Sequence, residues 1–533
     1  MKYLKLFVFT LYIASIATGI QAQQKELSWE ELREVHEFPK WYTQARFGIW
    51  THWGAQTQPR LGGGWYARHM YMHDVGHEQF GRNAHAYHLE NYGHPSEVGF
   101  KDVIHTWKAE NLQTDSLMAY FKSLGARFFM ALANHHDRFD NFASTHFAWN
   151  SVNIGPKRDI IGEFEKSARK YGLPFGVSSH DDRFLHWWLP AFGADEEGPY
   201  KGVPYDGHLT KEDGKGKWWE GLDPAELYGL PPDKRTPEWI EEVKLNYMLR
   251  HLELVTKYDV DMLWVDGYGF PYGEYGQEVF RKLFNNALAK DGKITTVGVG
   301  KIGEEPMIVK DIECGTANEI IHEPWQSIIT MSEWFYKEDR GLTHNARTII
   351  EMMADVISKN GNLVLNVELL PDGTIPPAHK PILDEVGVWV NLNADAIYAS
   401  TAWKVYGDNL NAHLRRLQGE LMNVDIEALQ EQAQSEHFNQ RTVNSPPFGP
   451  EEVRFTKRGD ILYVFVLNPE RGRIKLPALG LRSGLGVKKI NSVKMLGSNK
   501  RIRFKQGDEH LSLMVPAKRP GKYAVVFEVT GAL

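Results

Sequence analysis

Between about residue 45 and residue 370, short apolar runs alternate with longer stretches whose apolar residues recur at helical spacing. The runs are 47–50, 126–133, 175–177, 262–265 and 363–365, and helical stretches such as 240–255 and 277–289 lie between them. Short runs that are nearly all apolar are typical of parallel strands covered by helices. Alternation over about 330 residues predicts an α/β fold with a (β/α)8-like barrel, and an open, doubly wound sheet is the alternative.

The pattern changes after about residue 401. Residues 406–450 are polar and rich in Gln, Asn and Pro, which indicates a linker or loop region. Short β-prone runs separated by turn residues follow over 451–533, and they predict a C-terminal antiparallel β-sandwich. We therefore expect the barrel to occupy 23–405.

The first 22 residues have the features of a secretory signal peptide. Two lysines precede an apolar run over 6–20, and Ala22 follows as a small residue at the expected cleavage position. The run is too short and wrongly flanked for a stable membrane span. We expect an exported protein, periplasmic or secreted, without a membrane span.

Charge and cysteine content exclude several classes of protein. The formal net charge is −7, from 61 basic and 68 acidic residues, so no overall positive field exists to attract nucleic acid. The single cysteine, Cys314, excludes an intrachain disulfide and a four-thiolate zinc site.

Polar clusters follow four of the predicted strands directly. They contain His52, the pair His135 and His136, the pair His180 and Asp181, and Asp266. Barrel enzymes carry their catalytic groups at the carboxyl ends of the strands, where these clusters fall. A single such residue is more often structural, but four clusters in the same relative position predict an active site.

Three other motifs are weaker. His69, His73 and His77 have the spacing of metal ligands on a helix, but Gly76 interrupts that helix. The Gly298, Gly300 and Gly303 pattern matches a dinucleotide fingerprint, but two glutamates and a proline follow it where a phosphate-binding helix should begin. A nucleophile elbow of the Gly-x-Ser-x-Gly type is absent from the sequence. We expect neither a metal nor a cofactor.

Several ordered motifs resemble the α-L-fucosidases of glycoside hydrolase family 29. They are the segments 47–54 (FGIWTHWG), 135–137 (HHD), 153–159 (NIGPKRD), 263–267 (LWVDG), 360–366 (NGNLVLN), 371–373 (PDG), 387–389 (GVW) and 396–398 (AIY). The resemblance covers about residues 40–405. It implies a (β/α)8-like barrel with a C-terminal β-sandwich, and an exo-acting retaining α-glycosidase that releases a terminal sugar from an oligosaccharide or glycan.

The resemblance also implies roles for individual residues. Asp266 would be the nucleophile of a double displacement, and a second carboxyl group would act as acid and then base. We assign that role to Glu313, with Glu319 and Glu323 as reserves. The expected substrate-binding residues are His52, Trp53, His135, His136, Asp181, Trp264 and Trp325.

Some positions depart from the family pattern. Asn134 and Arg138 flank the His-His-Asp segment, Gln326 stands where the family has Glu, and Lys301 falls in a replaced segment after the nucleophile strand. Asp181, Asp182, Arg138 or Arg183 could hydrogen-bond a C6 hydroxyl group, which fucose lacks. The alternatives are therefore an α-galactosidase or α-glucosidase of the same family, or a non-catalytic carbohydrate-binding protein. The sequence does not determine the oligomeric state.

Overall fold

Eight parallel strands close into a barrel in the order in which they occur along the chain. They are β1 (Phe47–Thr51), β2 (Phe129–Asn134), β3 (Phe175–Ser179), β4 (Met262–Tyr268), β5 (Val297–Lys301), β6 (Ile308–Glu313), β7 (Trp325–Thr330) and β8 (Asn362–Asn366). β1 pairs with β8 from Phe47 opposite Leu363, which closes the ring. The predicted barrel is therefore confirmed and the open sheet is excluded.

The computed structural model describes residues 25–73, 83–411 and 448–533. The predicted signal peptide and most of the predicted linker lie outside these ranges. The α-helices are α1 (Trp29–Val35), α2 (Lys40–Thr43), α3 (Tyr66–His69), α4 (Ala84–Asn91), α5 (Phe100–Thr106), α6 (Thr114–Ser123), α7 (Ile160–Lys170), α8 (Phe184–Trp187), α9 (Pro224–Tyr228), α10 (Pro237–Lys257), α11 (Glu274–Asp291), α12 (Ala346–Ser358), α13 (Lys380–Leu392) and α14 (Ala394–Ile397). No helix in the described ranges is long and apolar enough to cross a membrane.

Side chains from alternate strand positions fill the inside of the barrel. Trp50, Met130, Met262, Trp264 and Ile328 belong to one buried cluster there. The intervening positions point outward and pack against the helices, so all residues of β1, β2 and β3 are buried. Burial on both faces explains why these strands read as continuous apolar runs.

Two antiparallel sheets form the C-terminal domain, as predicted. One contains β9 (Thr401–Asp408), β10 (Val453–Arg458), β11 (Ile461–Val466), β13 (Ser492–Met495) and β16 (Val525–Thr530), and the other contains β12 (Gly472–Leu476), β14 (Phe504–Gln506) and β15 (Leu511–Val515). β9 begins at Thr401, ahead of the predicted linker, and pairs with β10 of this domain.

Three of the eight barrel strands, β5, β6 and β7, have no counterpart among the predicted runs. Glycine alternates with valine in β5. Lys310 and Asp311 interrupt β6, and Gln326 and Ser327 give β7 a polar start, so neither strand reads as an apolar run. The glycine pattern beginning at Gly298 lies on β5 and in the loop that leads directly to β6. No helix begins there, as the sequence predicted. A Cβ atom at Gly298 would lie 2.5 Å from Ile308, so close packing requires this glycine.

Candidate active site

A pocket of about 220 Å³ opens at the carboxyl ends of the barrel strands. It is lined by His52, Gly64, Trp65, His135, His136, His180, Arg183, Asp266, Gly267, Tyr268, Lys301, Glu313 and Trp334. Two carboxylates, several imidazoles and two cations thus face one small volume, with aromatic rings around them.

Asp266 lies at the end of β4, and both of its carboxylate oxygens are contacted. His180 Nδ1 and His136 Nε2 each lie 3.4 Å from Oδ2, and Lys301 Nζ donates to Oδ1 at 3.0 Å. Burial by itself would raise the pKa of Asp266, but the hydrogen bond from His180 and the charge of Lys301 hold that pKa well below its usual value. Asp266 is therefore an ionised carboxylate at neutral pH.

Lys301, the last residue of β5, joins Asp266 to a second carboxylate. Its ammonium group also donates to Glu313 Oε1 at 2.8 Å. Burial would lower the pKa of Lys301, but the two carboxylates raise it, so the side chain remains a cation. The side chain of Glu313 is 34% exposed, whereas that of Asp266 is only 10% exposed. Glu313 therefore stands nearer the mouth of the pocket.

Three buried histidines of the pocket are neutral. Burial lowers the pKa of His52 and of His135 well below the usual value, and lowers that of His136 to about 3. Both ring nitrogens of His52 lack a hydrogen-bond partner among the described residues. The Gln56 amide contacts His135 Nδ1 at 2.8 Å. Neutral imidazoles with a free nitrogen can donate to, or accept from, a sugar hydroxyl group.

Buried polar residues hold the pocket wall in place. The Asn366 amide accepts from the backbone N–H of His52 at 2.9 Å and donates to the carbonyl of Trp334 at 2.9 Å. Glu368 Oε1 accepts from the backbone N–H groups of Ser332 and Glu333, both at 2.8 Å. The loop that follows β7 is thereby fixed to the end of β8.

Metal-ligand geometry is present in the pocket, but the charges oppose a metal there. His52, His135 and His180 form one suitable triplet, and His136, His180 and Asp266 form another. Lys301 and Arg183 line the same pocket, and the Arg183 guanidinium lies 3.8 Å from Asp266 Oδ2. These two cations repel a divalent ion from the site.

Comparisons with known proteins agree with this architecture. The family model described as alpha-L-fucosidase matches residues 12–395. The chain belongs to the α-L-fucosidase family. It is a glycoside hydrolase, and a glycan substrate follows from that assignment. Human plasma alpha-L-fucosidase is 23% identical over 72% of this chain and 74% of its own length, and bovine tissue alpha-L-fucosidase is 25% identical over 71% and 73%.

Solved structures of α-L-fucosidases share the fold. The Thermotoga maritima alpha-fucosidase, crystallised with a mechanism-based inhibitor, superposes with a TM-score of 0.67 at 23% identity, covering 94% of this chain and 99% of that one. Alpha-L-fucosidase isoenzyme 1 from Paenibacillus thiaminolyticus gives a TM-score of 0.60 at 19% identity, covering 92% and 97%.

Five of the residues singled out for this fucosidase site line the pocket together. They are Asp266, Glu313, His52, His135 and His136. His180, which the strand-end pattern grouped with them, lines it as well.

Four others do not line it. Trp53 packs on Trp107 at 4.9 Å outside the barrel, and Trp325 begins β7 at the opposite end of the barrel from the pocket. Trp264 is fully buried beneath His180, 4.7 Å away, and so supports the pocket floor. Asp181 is buried in an ion pair with Arg250 at 2.5 Å. Packing or ion pairing already occupies each of these side chains, and their direct contact with the substrate stays a prediction.

The reserve acids lie away from the pocket. Glu319 and Glu323 are exposed in the loop before β7, where Ile321 is hydrogen-bonded to the residues that precede β8. Gln326, which replaces the family's Glu, accepts from Tyr42 and donates to Asp311 inside the barrel, both at 2.9 Å. Its change from Glu therefore removes no carboxylate from the pocket.

Sequence reasoning missed four lining side chains, namely Trp65, Tyr268, Lys301 and Trp334, whereas Arg183 was already considered for contact with the sugar. Tyr268 and Lys301 carried a signal, because each comes at the end of a strand. Trp65 and Trp334 lie in long connections whose path the sequence pattern does not show.

Proposed function

We propose that this chain is an exo-acting, retaining α-L-fucosidase with Asp266 as the nucleophile and Glu313 as the acid/base. The observation that carries the proposal is the contact of the single Lys301 ammonium group with both carboxylates, at 3.0 and 2.8 Å. Two oxygens bound to one nitrogen at these distances lie within about 6 Å of each other, near the spacing of about 5–5.5 Å in retaining enzymes and below the roughly 6.5–9.5 Å of inverting enzymes.

In the first step, Asp266 attacks the anomeric carbon while protonated Glu313 gives its proton to the departing glycosidic oxygen. A covalent glycosyl-enzyme intermediate and a free aglycone alcohol result. In the second step, Glu313, now a carboxylate, takes a proton from water, which displaces Asp266 and releases the sugar. Two inversions leave the anomeric configuration unchanged.

The size and lining of the pocket support cleavage at a chain end. A volume of about 220 Å³ suits one sugar ring better than a run of subsites. His136 Nδ1 donates to the carbonyl of His180 at 2.6 Å, so Nε2 of the neutral ring is an acceptor. A sugar hydroxyl group can donate to that nitrogen. Trp65 and Trp334 supply aromatic surface for the apolar face of the ring.

A panel of nitrophenyl glycosides tests the sugar. It should contain the α-L-fucoside, the α-L- and α-D-galactosides and the α-D-glucoside. We expect the fucoside to be turned over fastest. Preferred hydrolysis of a galactoside or glucoside would contradict the fucose assignment while leaving the catalytic pair intact.

The variant Asp266→Ala tests the nucleophile with the same substrates. We expect turnover to fall by about 10³-fold or more, because the covalent step is lost. Added azide should restore release of nitrophenol and give a glycosyl azide of inverted anomeric configuration. Near-normal turnover in a folded Asp266→Ala variant would contradict the nucleophile assignment, and no turnover by the parent enzyme of any glycoside in the panel would favour a binding protein.

One observation supports the second candidate, a sugar with a hydroxyl group at C6. Of the four polar residues considered for that contact, Arg183 lines the pocket, and its side chain is 42% exposed. Arg138 is buried on the ring of Phe184, 3.6 Å away. A gain in the fucoside-to-galactoside ratio in Arg183→Met would support this candidate.

We also propose export, on the basis of the signal-like residues 1–22. Fractionation of the native host followed by N-terminal sequencing checks this proposal. A mature chain that begins near residue 23 outside the cytoplasm is expected, and an intact Met1 on cytoplasmic protein would contradict it.

A further inference from the structure

Three histidines and one aspartate meet outside the catalytic pocket. His85 Nε2 and His94 Nε2 each lie 3.3 Å from Asp195 Oδ1, and His73 Nε2 lies 3.9 Å from Asp195 Oδ2. We propose that His73, His85 and Asp195, whose ligand atoms all lie within 4.8 Å of one another, bind a divalent transition-metal ion, for which Zn²⁺ is the best fit. The proposal rests on none of the residues assigned to catalysis.

The distance from His85 to Asp195 matches a tetrahedral site. Zinc bonds to imidazole nitrogen and carboxylate oxygen are about 2.0–2.1 Å long, which places tetrahedral ligand atoms about 3.3–3.4 Å apart. The 3.3 Å separation of His85 Nε2 from Asp195 Oδ1 is of this length. The His73 side chain is 17% exposed, and a small ring movement would shorten its 3.9 Å separation from Asp195 Oδ2. Imidazole with carboxylate is a donor set that suits zinc.

Outer contacts fix the rings and the carboxylate. His85 Nδ1 contacts the carbonyl of Met70 at 2.8 Å. His94 Nδ1 lies 2.8 Å from Ser96 Oγ and accepts from the Ser96 backbone N–H at 3.3 Å, so its Nε2 faces Asp195 Oδ1 as a donor. The Tyr205 hydroxyl donates to the aspartate at 2.6 Å. Histidines that bind metals are held in this way through their second nitrogen.

His85 has a buried ring nitrogen that a cation would satisfy. His85 is 3% exposed, and its Nε2 atom makes no hydrogen bond within the described ranges. Because a carbonyl only accepts, the contact with Met70 places a proton on His85 Nδ1. Nε2 is then the nitrogen that offers a lone pair, and it lies 3.3 Å from Asp195 Oδ1. A metal ion between these two atoms would bond to both.

Three protein ligands would leave the fourth tetrahedral position to a water molecule. The ion would join the β1–β2 connection, which carries His73 and His85, to the β3–β4 connection, which carries Asp195. These connections also carry Trp65 and Trp187, whose rings lie 4.9 Å apart beside the pocket. The ion would therefore brace the pocket wall.

Metal analysis of the full-length chain, purified without a histidine tag, tests the proposal. The protein is stripped with EDTA, reloaded with Zn²⁺ and desalted. We expect about one zinc per chain by mass spectrometry and a melting temperature several degrees above that of the stripped protein. Failure of the unmodified chain to retain zinc, with no shift in melting temperature, would overturn the proposal without requiring any variant.

Variants locate the ion. Zinc retention should fall at least tenfold in His85→Ala and in Asp195→Asn, and should be unchanged in His322→Ala, whose side chain is exposed elsewhere. His135→Ala probes the histidine cluster of the pocket. Loss of zinc in His135→Ala with retention in His85→Ala would place the ion in the pocket and overturn the assignment. Hydrolysis of the activated glycoside is a separate readout, so a failed catalytic proposal would not affect this result.

Discussion

At the scale of single residues, Lys301 controls the charge of the pocket. Its ammonium group contacts Asp266 at 3.0 Å and Glu313 at 2.8 Å. One fixed cation between two carboxylates keeps the nucleophile ionised and offsets the repulsion that would otherwise separate the pair. It also lies 5.7 Å from the ring of Trp264, which adds a cation–π contact.

Replacing this cation should alter both the rate and the pH profile. In Lys301→Met we expect kcat/KM to fall by about 10²–10³-fold, because the pocket loses a preorganised charge. The lysine lowers the pKa of Asp266, so its removal raises that pKa, and the acid limb of the pH–rate profile moves to higher pH. Lys310→Met, at an exposed position of β6, is the matched control and should keep the parental profile. An unshifted acid limb in Lys301→Met would contradict the electrostatic role.

Two carboxyl groups near Asp266, those of Glu313 and Asp182, could be considered for the catalytic acid, and their positions and variants distinguish them. Burial and the nearby Asp266 raise the pKa of Asp182 to about 7, which suits an acid, but this residue lies behind Gly267 and does not line the pocket. Glu313→Ala should therefore lose about 10²–10⁴-fold on a natural glycoside and much less on a substrate with an activated leaving group, because the latter needs little protonation. If Asp182→Asn, and not Glu313→Ala, lost much more rate on the natural glycoside than on the activated substrate, the choice of Glu313 would be refuted.

At the scale of structural elements, the loop after β7 depends on one buried acid. Glu368 is fully buried and holds the backbone of Ser332 and Glu333, next to the pocket residue Trp334. Burial raises its pKa to about 8, and the backbone donors only partly oppose that effect. Its second oxygen lies 3.3 Å from His379 Nδ1, which burial keeps neutral. The protonated carboxyl group can therefore donate to this ring.

In the variant Glu368→Gln, the free energy of unfolding should lose a dependence on pH that the parent protein shows. Because the folded-state pKa is raised, the parent's stability from this group is complete below the unfolded-state pKa of about 4.5 and is lost as the pH rises through about 8. Between about pH 5 and about pH 9, the free energy of unfolding should therefore shift in favour of the glutamine variant by on the order of 3 kcal/mol. Urea titrations at both pH values measure this. A pH-independent difference would show that Glu368 folds ionised.

At the scale of the whole molecule, buried charges join the barrel to the β-sandwich. Arg454 on β10 is 3% exposed and bonds Asp355 of α12 at 2.7 Å and Glu452 at 3.1 Å. Trp389 of α13 donates to the carbonyl of Ala524 at 2.6 Å across the same junction. The C-terminal domain is therefore part of one packed unit with the barrel, although none of its described residues lines the pocket.

Removing the buried cation should destabilise that junction. In Arg454→Met, Asp355 and Glu452 stay buried but lose the arginine that pairs with both of them. We therefore expect a loss of about 3–5 kcal/mol in the free energy of unfolding. Arg458→Met is the control on the same strand, because its pair with Asp395 is exposed and should contribute less than about 1 kcal/mol. Chemical denaturation of both variants measures the difference. Equal stabilities would show that the junction does not depend on this ion pair.

The sequence by itself determined the barrel, the C-terminal sandwich and the strand ends that carry His52, His135, His136 and Asp266. Each follows from local patterns, since strands buried on both faces must be apolar and a polar residue directly after such a strand falls at its end. Glu313 also ends a strand, but β6 is broken by polar residues, so its assignment came from the family resemblance and the run of residues around it.

Only the tertiary structure decided which of these side chains face the pocket. Asp181 and Asp182 are adjacent to His180 in sequence, yet Asp181 pairs with Arg250 and Asp182 packs against Gly267, because neighbours at a strand end point in different directions. In the pocket, Lys301 contacts Asp266, which lies 35 positions away in the sequence. Outside the pocket, His85 and Asp195 lie close together across a longer sequence separation. Contacts of this kind depend on how the long connections fold over the barrel, and no periodicity or spacing in the chain encodes that path.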